Sequence, residues 1–433
     1  MDILTTLRTQ AEQAEVFTFE GESTLVSFEA NEMKSAEVEE TQGTALRCVL
    51  NGRLGFTAAS GRVPVARLIE NLLASAQYGD QVPIVFPAPA PGAKVVTYDP
   101  SLAGIPLAHL VEIGREIIGR VLEVDAKAKV NVDIERSVGS SRLRNSAGAE
   151  TDEQGSEFSV EISVERVRGD DVLIVDEAVN DISLTTAYQE AVQRLVHRIK
   201  LARRSAKLVS GRMSVLFSPA GSMVLALPLI LATNGKNVQR GISPLSGKLG
   251  QKVFDAKLTL WDDPTVQGRP ESSRFDDEGV PCRRNALIAG GVCESFVYDL
   301  KTAALMSTQS TGNGARGLFS APSPSVTNLL WEHGKTPLAD ILAEVKHGLW
   351  VEEVLGLGQG NAISGAFSNT LGLAYVIEQG EIVGRIKDVS IAGNIYEHLR
   401  EVGAMSRESY WVNGDIQMPY ILLPELNVVC QDS

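Results

Sequence analysis

The chain has 433 residues, 44% of them hydrophobic and 22% charged, with 40 Lys and Arg against 54 Asp and Glu for a formal charge of −14. Such a length and composition describe a globular protein of about three domains, or two large ones, and exclude wholesale disorder. The acidic balance repels a phosphate backbone, so nucleic acid is not expected as a partner.

Residues 2–14 read as a helix with Ile3, Leu4 and Leu7 on one face. The same stretch lacks the apolar run and cleavage site of a secretory signal, which makes cytoplasmic residence the expectation. Short β-rich runs follow at 15–20, 24–30, 35–40 and 45–50, set off by Gly21, Asn31 and Gly43 and closed by the turn Asn51-Gly52. This pattern predicts an antiparallel meander. Helical spacing returns over 63–77, and the proline-rich run at 82–91 can continue neither a helix nor a central strand. A helix is predicted over 105–123, strands near 130–135, 140–145, 157–167 and 172–175, and a long helix over 184–207. That helix ends in RLVHRIKLARRSAK, whose basic residues complement a helix C-terminus while Leu195, Ile199 and Leu201 keep an apolar seam. The main boundary is placed near 209–211. The resulting organisation is a 1–90 α+β domain, a 91–210 α+β region packed with it, and a β-rich 211–433 domain with helices near 219–233, 299–306, 337–346 and 394–402.

The uncharged stretch 213–233 is long enough to test as a membrane span. Ser218-Pro219 interrupts it with a helix-start signal, so it parses as a strand at 213–217 and a helix from Pro219, and no membrane association is expected.

The residues that carry chemistry are sparse. The five histidines, His109, His197, His333, His347 and His398, are scattered, with no HExxH, HxH or HxxxH. The cysteines Cys48, Cys282, Cys293 and Cys430 form no CxxC pair, so neither a zinc module nor a disulfide framework is expected. Two acidic groups, Asp262-Asp263 in WDDP and Asp276-Asp277-Glu278 in FDDEG, could offer oxygen ligands to a cation or substrate, although Asp before Pro or Gly is also ordinary turn chemistry. The glycines of LGLGQGNAISG (355–365) suggest a phosphate cradle only weakly, because no Lys-Ser/Thr follows.

Ordered motifs say more than single residues. NGKNVQRGISPLSGKLGQKV, LTLWDDP, RFDDEGVPCRRNALIAGGVCESFVYDL, STGNGARG and VEEVLGLGQGNAISGAFSNTLGLAYVIEQGEIVGRIKDVSIAGN, with VSFEANEMKSAEVEETQGTALRCVLNGRLGF in the first half, together resemble the TldD/PmbA family, whose members are also described as modulators of DNA gyrase. The resemblance implies an α+β fold, a helix-strand N-terminal half with antiparallel sheet and a strand-rich C-terminal half, assembled as dimers around an internal cavity. It also implies a division of labour. A TldD-type subunit carries HExxxH on a helix, takes a late cysteine as a further zinc ligand, and with its PmbA/TldE-type partner trims unfolded or modified peptides.

In register with that motif, this chain has Ala226, Leu227 and Leu231, and no His or Glu occurs from 218 to 235. The late stretch SRESYWVNGDIQMPYILLP has no cysteine, and Cys430 sits in the apolar run LNVVC. The resemblance therefore implies a PmbA/TldE-type, non-catalytic subunit with no metal or cofactor, whose partners are an HExxxH-bearing TldD-type subunit and a peptide substrate. Two alternatives stand beside it: a stand-alone homodimer that binds peptides or proteins without hydrolysis, and an enzyme using Asp262, Asp263, Asp276, Asp277 and Glu278.

Overall fold

The computed structural model describes residues 2–61, 63–169 and 171–430. A short helix, α1 (Ile3–Leu7), leads into antiparallel strands β1 (Gln13–Glu29), β2 (Glu32–Leu50) and β3 (Arg53–Ser60). The helix expected over 2–14 stops early because Gln10 and Ala11 bond back to Leu7 O and Glu12 N joins Val49 O at 2.9 Å, which commits the chain to the sheet. Gly21 and Gly43, expected to separate short runs, lie inside long paired strands. Close packing favours glycine at 43, where a Cβ would stand 2.9 Å from the backbone oxygen of Ala59 on β3 and would push the Leu318 side chain aside. The turn between β2 and β3 is the Asn51-Gly52 pair, both at positive φ as a two-residue hairpin demands.

After α2 (Val65–Ala76) the proline-rich stretch crosses without regular structure to α3 (Leu107–Val124). Then come β4 (Lys129–Asn145), β5 (Glu150–Arg168), β6 (Asp171–Asp181) and α4 (Ala187–Leu201). Among the described residues these strands form one six-stranded sheet in the order β3-β2-β1-β4-β5-β6. Strand alternation explains its two faces. Val130, Val132, Ile134, Val160 and Ile162 bury themselves with Leu110, Ile117, Leu195 and Ile199 of α3 and α4. Their neighbours Asp133 and Glu161 point the other way and remain exposed.

The second half begins with β7 (Gly211–Phe217), α5 (Met223–Thr233) and α6 (Gly235–Gln239). Short elements follow: β8 (Leu260–Asp262), β9 (Asn285–Ala289), β10 (Val292–Cys293), α7 (Leu300–Leu305), β11 (Gly314–Ala315), β12 (Ser323–Pro324), β13 (Leu329–Trp331) and α8 (Leu338–Glu344). Longer strands complete the chain: β14 (His347–Val354), β15 (Ala366–Glu378), β16 (Glu381–Ile386), β17 (Val389–Asn394), then α9 (Ile395–His398), β18 (Ala404–Val412) and β19 (Ile416–Cys430). Among the described residues all but β11 and β12 of these strands join an eleven-stranded sheet, and β7 pairs with both β14 and β19, which closes the path β7-β14-β15-β17-β19 on itself. The architecture is α+β, with the strand-rich half C-terminal.

The two halves share a core. Ile162, Leu195 and Ile199 pack with Trp350, Leu373 and Tyr375, and Tyr375 Oη donates to Arg198 O at 2.8 Å. No helix among the described residues is long and apolar enough to cross a membrane.

Candidate functional site

The helix at the motif register is a packing element. Its start differs from the sequence reading, because residues 218–222 form a turn and α5 begins only at Met223. Gly221 N donates to Ser218 Oγ at 3.1 Å, and a Cβ on Gly221 would lie 2.3 Å from Val351 O, so close approach to β14 sets the turn. Ala226 is fully buried with Leu225 and Leu229 in the main apolar cluster, while Leu227 and Leu231 are half-buried. Pro228 lies inside α5, and Tyr396 Oη reaches past it to donate to Ile363 O at 2.9 Å.

Above this helix runs the glycine-rich stretch. Gly358 passes over Leu227, with the site of a Cβ 3.5 Å from Leu227 Cδ2, and Gly356, Gly358, Gly360 and Gly365 all have positive φ. At Gly365 a side chain would meet the Tyr396 ring at 2.5 Å. The glycines thus serve a tight loop over an apolar helix.

The acidic residues fall into separate settings. Asp262 is fully buried: Oδ2 accepts from Asn313 Nδ2 at 2.7 Å and Oδ1 from Thr327 N at 2.6 Å. Burial pushes its carboxyl up, against the pull of those donors. Asp263 makes a turn by accepting from Thr265 N at 2.9 Å. Asp276 does the same with Glu278 N and Val280 N, both at 2.9 Å, and its other oxygen takes Gly314 N. Burial and the neighbouring Glu278 push Asp276 well above the ordinary carboxylate range. Asp277 accepts from Arg316 N at 2.8 Å.

Glu278 belongs to a buried ion cluster that joins the halves. Arg47 of β2 donates through Nη1 to Glu278 and through Nε to Glu15 at 2.9 Å, while Arg316 Nη2 reaches Glu15 at 2.6 Å. Burial opposes ionisation of Glu15, but the charges of Arg316 and Arg47 outweigh it and hold the carboxyl below its ordinary value. Asp276 and Asp277 also line a cavity of about 600 Å³ beside β1, β4 and β5, whereas Asp262, Asp263 and Glu278 do not. The five acids are therefore not gathered into one ligand set.

A second cavity, about 820 Å³, lies between the six-stranded sheet, α4, the turn before α5, β14 and β18. Its lining includes Glu352, Trp350, Tyr410, Trp411 and Tyr420, none singled out by the sequence reading. One signal was present: Glu352 interrupts the apolar run of HGLWVEEV at a position that proves to be buried. The basic end of α4 also holds a surprise. Arg194 and Arg198 turn inward, Arg194 gripping Glu177 through Nε at 3.2 Å and Nη2 at 2.7 Å, and Arg198 joining the same carboxylate.

An α+β half with a long-stranded sheet, locked to a closed strand-rich half around an apolar helix, is an architecture shared end to end with solved proteins. TldE of Thermococcus kodakarensis superposes with a TM-score of 0.91 at 26% identity, covering 99% of both chains. A Thermotoga maritima protein described as a candidate modulator of a DNA gyrase superposes with a TM-score of 0.89 at 22% identity, over 99% of this chain and 98% of that one, which is a likeness of fold alone. In sequence, the profile of the PmbA/TldA metallopeptidase C-terminal domain matches residues 210–430, and that of PmbA/TldA metallopeptidase domain 1 matches residues 14–76. The chain belongs to the TldD/PmbA family. It is 31% identical over 272 residues to an uncharacterized protein of Methanocaldococcus jannaschii, covering 62% of each chain. It is 29% identical over 232 residues to the metalloprotease TldD homolog of Haemophilus influenzae, covering 51% of this chain and 48% of that one. The chain thus spans less than two thirds of the length of these curated relatives.

A metallopeptidase family implies a metal, and the residues present do not fit one. Ala226, Leu227 and Leu231 carry no donor atom, and among the described residues no group of three His, Cys, Asp or Glu side chains could hold an ion.

Proposed function

We propose that this chain is a non-catalytic, TldE-type subunit that works in the cytoplasm with a metal-bearing TldD-type subunit and helps to hold the peptide the partner cleaves. The observation that carries this reading is α5: at the register of the family's metal motif it presents one fully buried alanine and two half-buried leucines, packed as core on one side and covered by the 355–365 loop on the other. A metallopeptidase needs three protein ligands, an open water position and a carboxylate base, and a helix of this composition supplies none of them. The full-length likeness to TldE of Thermococcus kodakarensis supports the assignment to that side of the pair.

The test is co-expression with an HExxxH-bearing partner, followed by size-exclusion chromatography, metal analysis and a peptide-cleavage assay. The expected result is a stable complex that cleaves unfolded peptide, with zinc carried by the partner and this chain inert and free of stoichiometric zinc when purified alone. Cleavage by this chain alone, abolished by Asp276→Asn or Asp277→Asn, would replace the reading with an acidic-site enzyme. Failure to associate with any such partner while forming a self-dimer would replace it with a stand-alone binding protein.

A further inference from the structure

One exposed segment carries charge that the protein itself leaves unmatched. Residues 235–254 hold four basic side chains, Lys236, Arg240, Lys248 and Lys252, and no Asp or Glu, in a chain whose formal charge is −14. All four are exposed, and among the described residues none makes a side-chain hydrogen bond or an ion pair. Asp255, which follows the segment, is already engaged by Lys257. Glu294 is brought beside it, since Gly250 N donates to Cys293 O at 2.8 Å, but forms no ion pair with it.

The segment is held firmly. In α6 and its cap, Arg240 N donates to Lys236 O at 3.1 Å, which sets those two side chains one helical turn apart. Ser246 N to Ser243 O, Lys248 N to Leu245 O and Gln251 N to Lys248 O continue the chain as successive tight turns, so the four cations share one compact stretch. Val238 and Leu245 anchor it in the main apolar cluster, and Ser243 Oγ donates to Ala232 O at 2.6 Å. Between these anchors Ile242 is 52% exposed, and beyond them Leu249 is 50% exposed. Two large apolar side chains thus stand half in water among four unpaired cations.

We propose that residues 236–252 form a docking surface for an acidic, extended protein segment, whose carboxylates pair with Lys236, Arg240, Lys248 and Lys252 and whose apolar side chains cover Ile242 and Leu249. Complementary charge steers such a segment and fixes its register, and the apolar pair gains from leaving water. A nucleic acid is disfavoured, because the one aromatic side chain of the segment, Phe254, is buried and offers no face for a base to stack on, and because the net charge of −14 repels a long polyanion. The inference stands independently of the subunit assignment, since it concerns only this chain's own surface.

Fluorescence anisotropy on the full chain tests it, with the labelled peptide Glu-Leu-Glu-Glu-Ile-Glu, a counterpart with every Glu replaced by Gln, and a single-stranded oligothymidylate. Saturable binding of the acidic peptide is expected, weakened about tenfold or more in Arg240→Glu/Lys248→Glu and with the Gln peptide. Ile242→Ser/Leu249→Ser should weaken it about threefold or more, which attraction between charges alone would not do. All four substituted positions are exposed, and circular dichroism and melting temperature should stay at wild-type values. The proposal is overturned if the acidic peptide does not bind saturably up to millimolar concentration, if the well-folded charge-reversed variant binds it as tightly as wild type, or if the apolar substitutions leave binding unchanged. It is also overturned if the oligothymidylate binds as tightly as the peptide, or if sedimentation shows a self-dimer that the charge reversal dissociates while no peptide binds, which would make a second copy the occupant.

Discussion

Rebuilding the metal motif on α5, with Ala226→His, Leu227→Glu and Leu231→His together, is expected to destabilise the protein without creating a peptidase. Ala226 is fully buried, so an imidazole there must displace its neighbours at a cost of about 1–3 kcal/mol. A ring nitrogen left without a partner in that position adds ~1–3 kcal/mol. Leu227 and Leu231 are half-buried, and replacing each forfeits about 1 kcal/mol of the transfer energy a leucine contributes. The total is roughly 4–8 kcal/mol, allowing for non-additivity among neighbours, against a typical stability of about 5–15 kcal/mol. Urea unfolding followed by tryptophan fluorescence should show a midpoint shifted far down or a chain that no longer folds. An unchanged midpoint would mean that Ala226 is not a core position. A folded variant that retained zinc through dialysis and cut peptides would show that the remaining ligand and base are present after all, and would refute the argument from packing.

Replacing Arg47 by Met should cost about 3–5 kcal/mol by stripping the countercharge from buried Glu15 and Glu278, again read by urea unfolding; a loss under ~1 kcal/mol would mean the cluster is wet or mobile. Burial, with Asp176 nearby, raises the Glu353 carboxyl from 4.5 to about 7. The native state then binds the extra proton, so this group's contribution to stability is full below pH 4.5 and is lost as pH rises through about 7. Melting temperatures of Glu353→Gln and wild type across pH 4 to 8 should therefore diverge in the variant's favour at the alkaline end, and parallel curves would refute it. In a mobility-shift assay at physiological salt the chain should not retain duplex DNA, given its net charge of −14 and the inward commitment of Arg194 and Arg198; tight, salt-sensitive retention would contradict this.

Much of the fold was legible in local chemistry. Alternating strands around Asn51-Gly52, helical seams at Leu110, Ile113 and Ile117, and the apolar character of α5 all depend on periods of two or 3.6 residues, which are properties of neighbours in sequence. The loss of metal ligands at Ala226, Leu227 and Leu231 was legible for the same reason, because an absent side chain needs no fold to be absent. Strand lengths were not: Gly21 and Gly43 look like breaks until partner strands supply the hydrogen bonds that carry the chain through them. The start of α5 was misplaced because Ser218-Pro219 has the local form of a helix cap, and only the approach of Val351 to Gly221 turns that cap into a tight turn. Likewise the basic tail of α4 read as a solvated helix end, yet Glu177 of β6 draws Arg194 and Arg198 inward. The cavity that sets Glu177, Arg194 and Arg198 beside Trp350, Tyr410 and Tyr420 belongs wholly to tertiary structure. Its walls come from strands more than 170 residues apart, and electrostatic and aromatic contacts act through space, at distances that order along the chain does not encode.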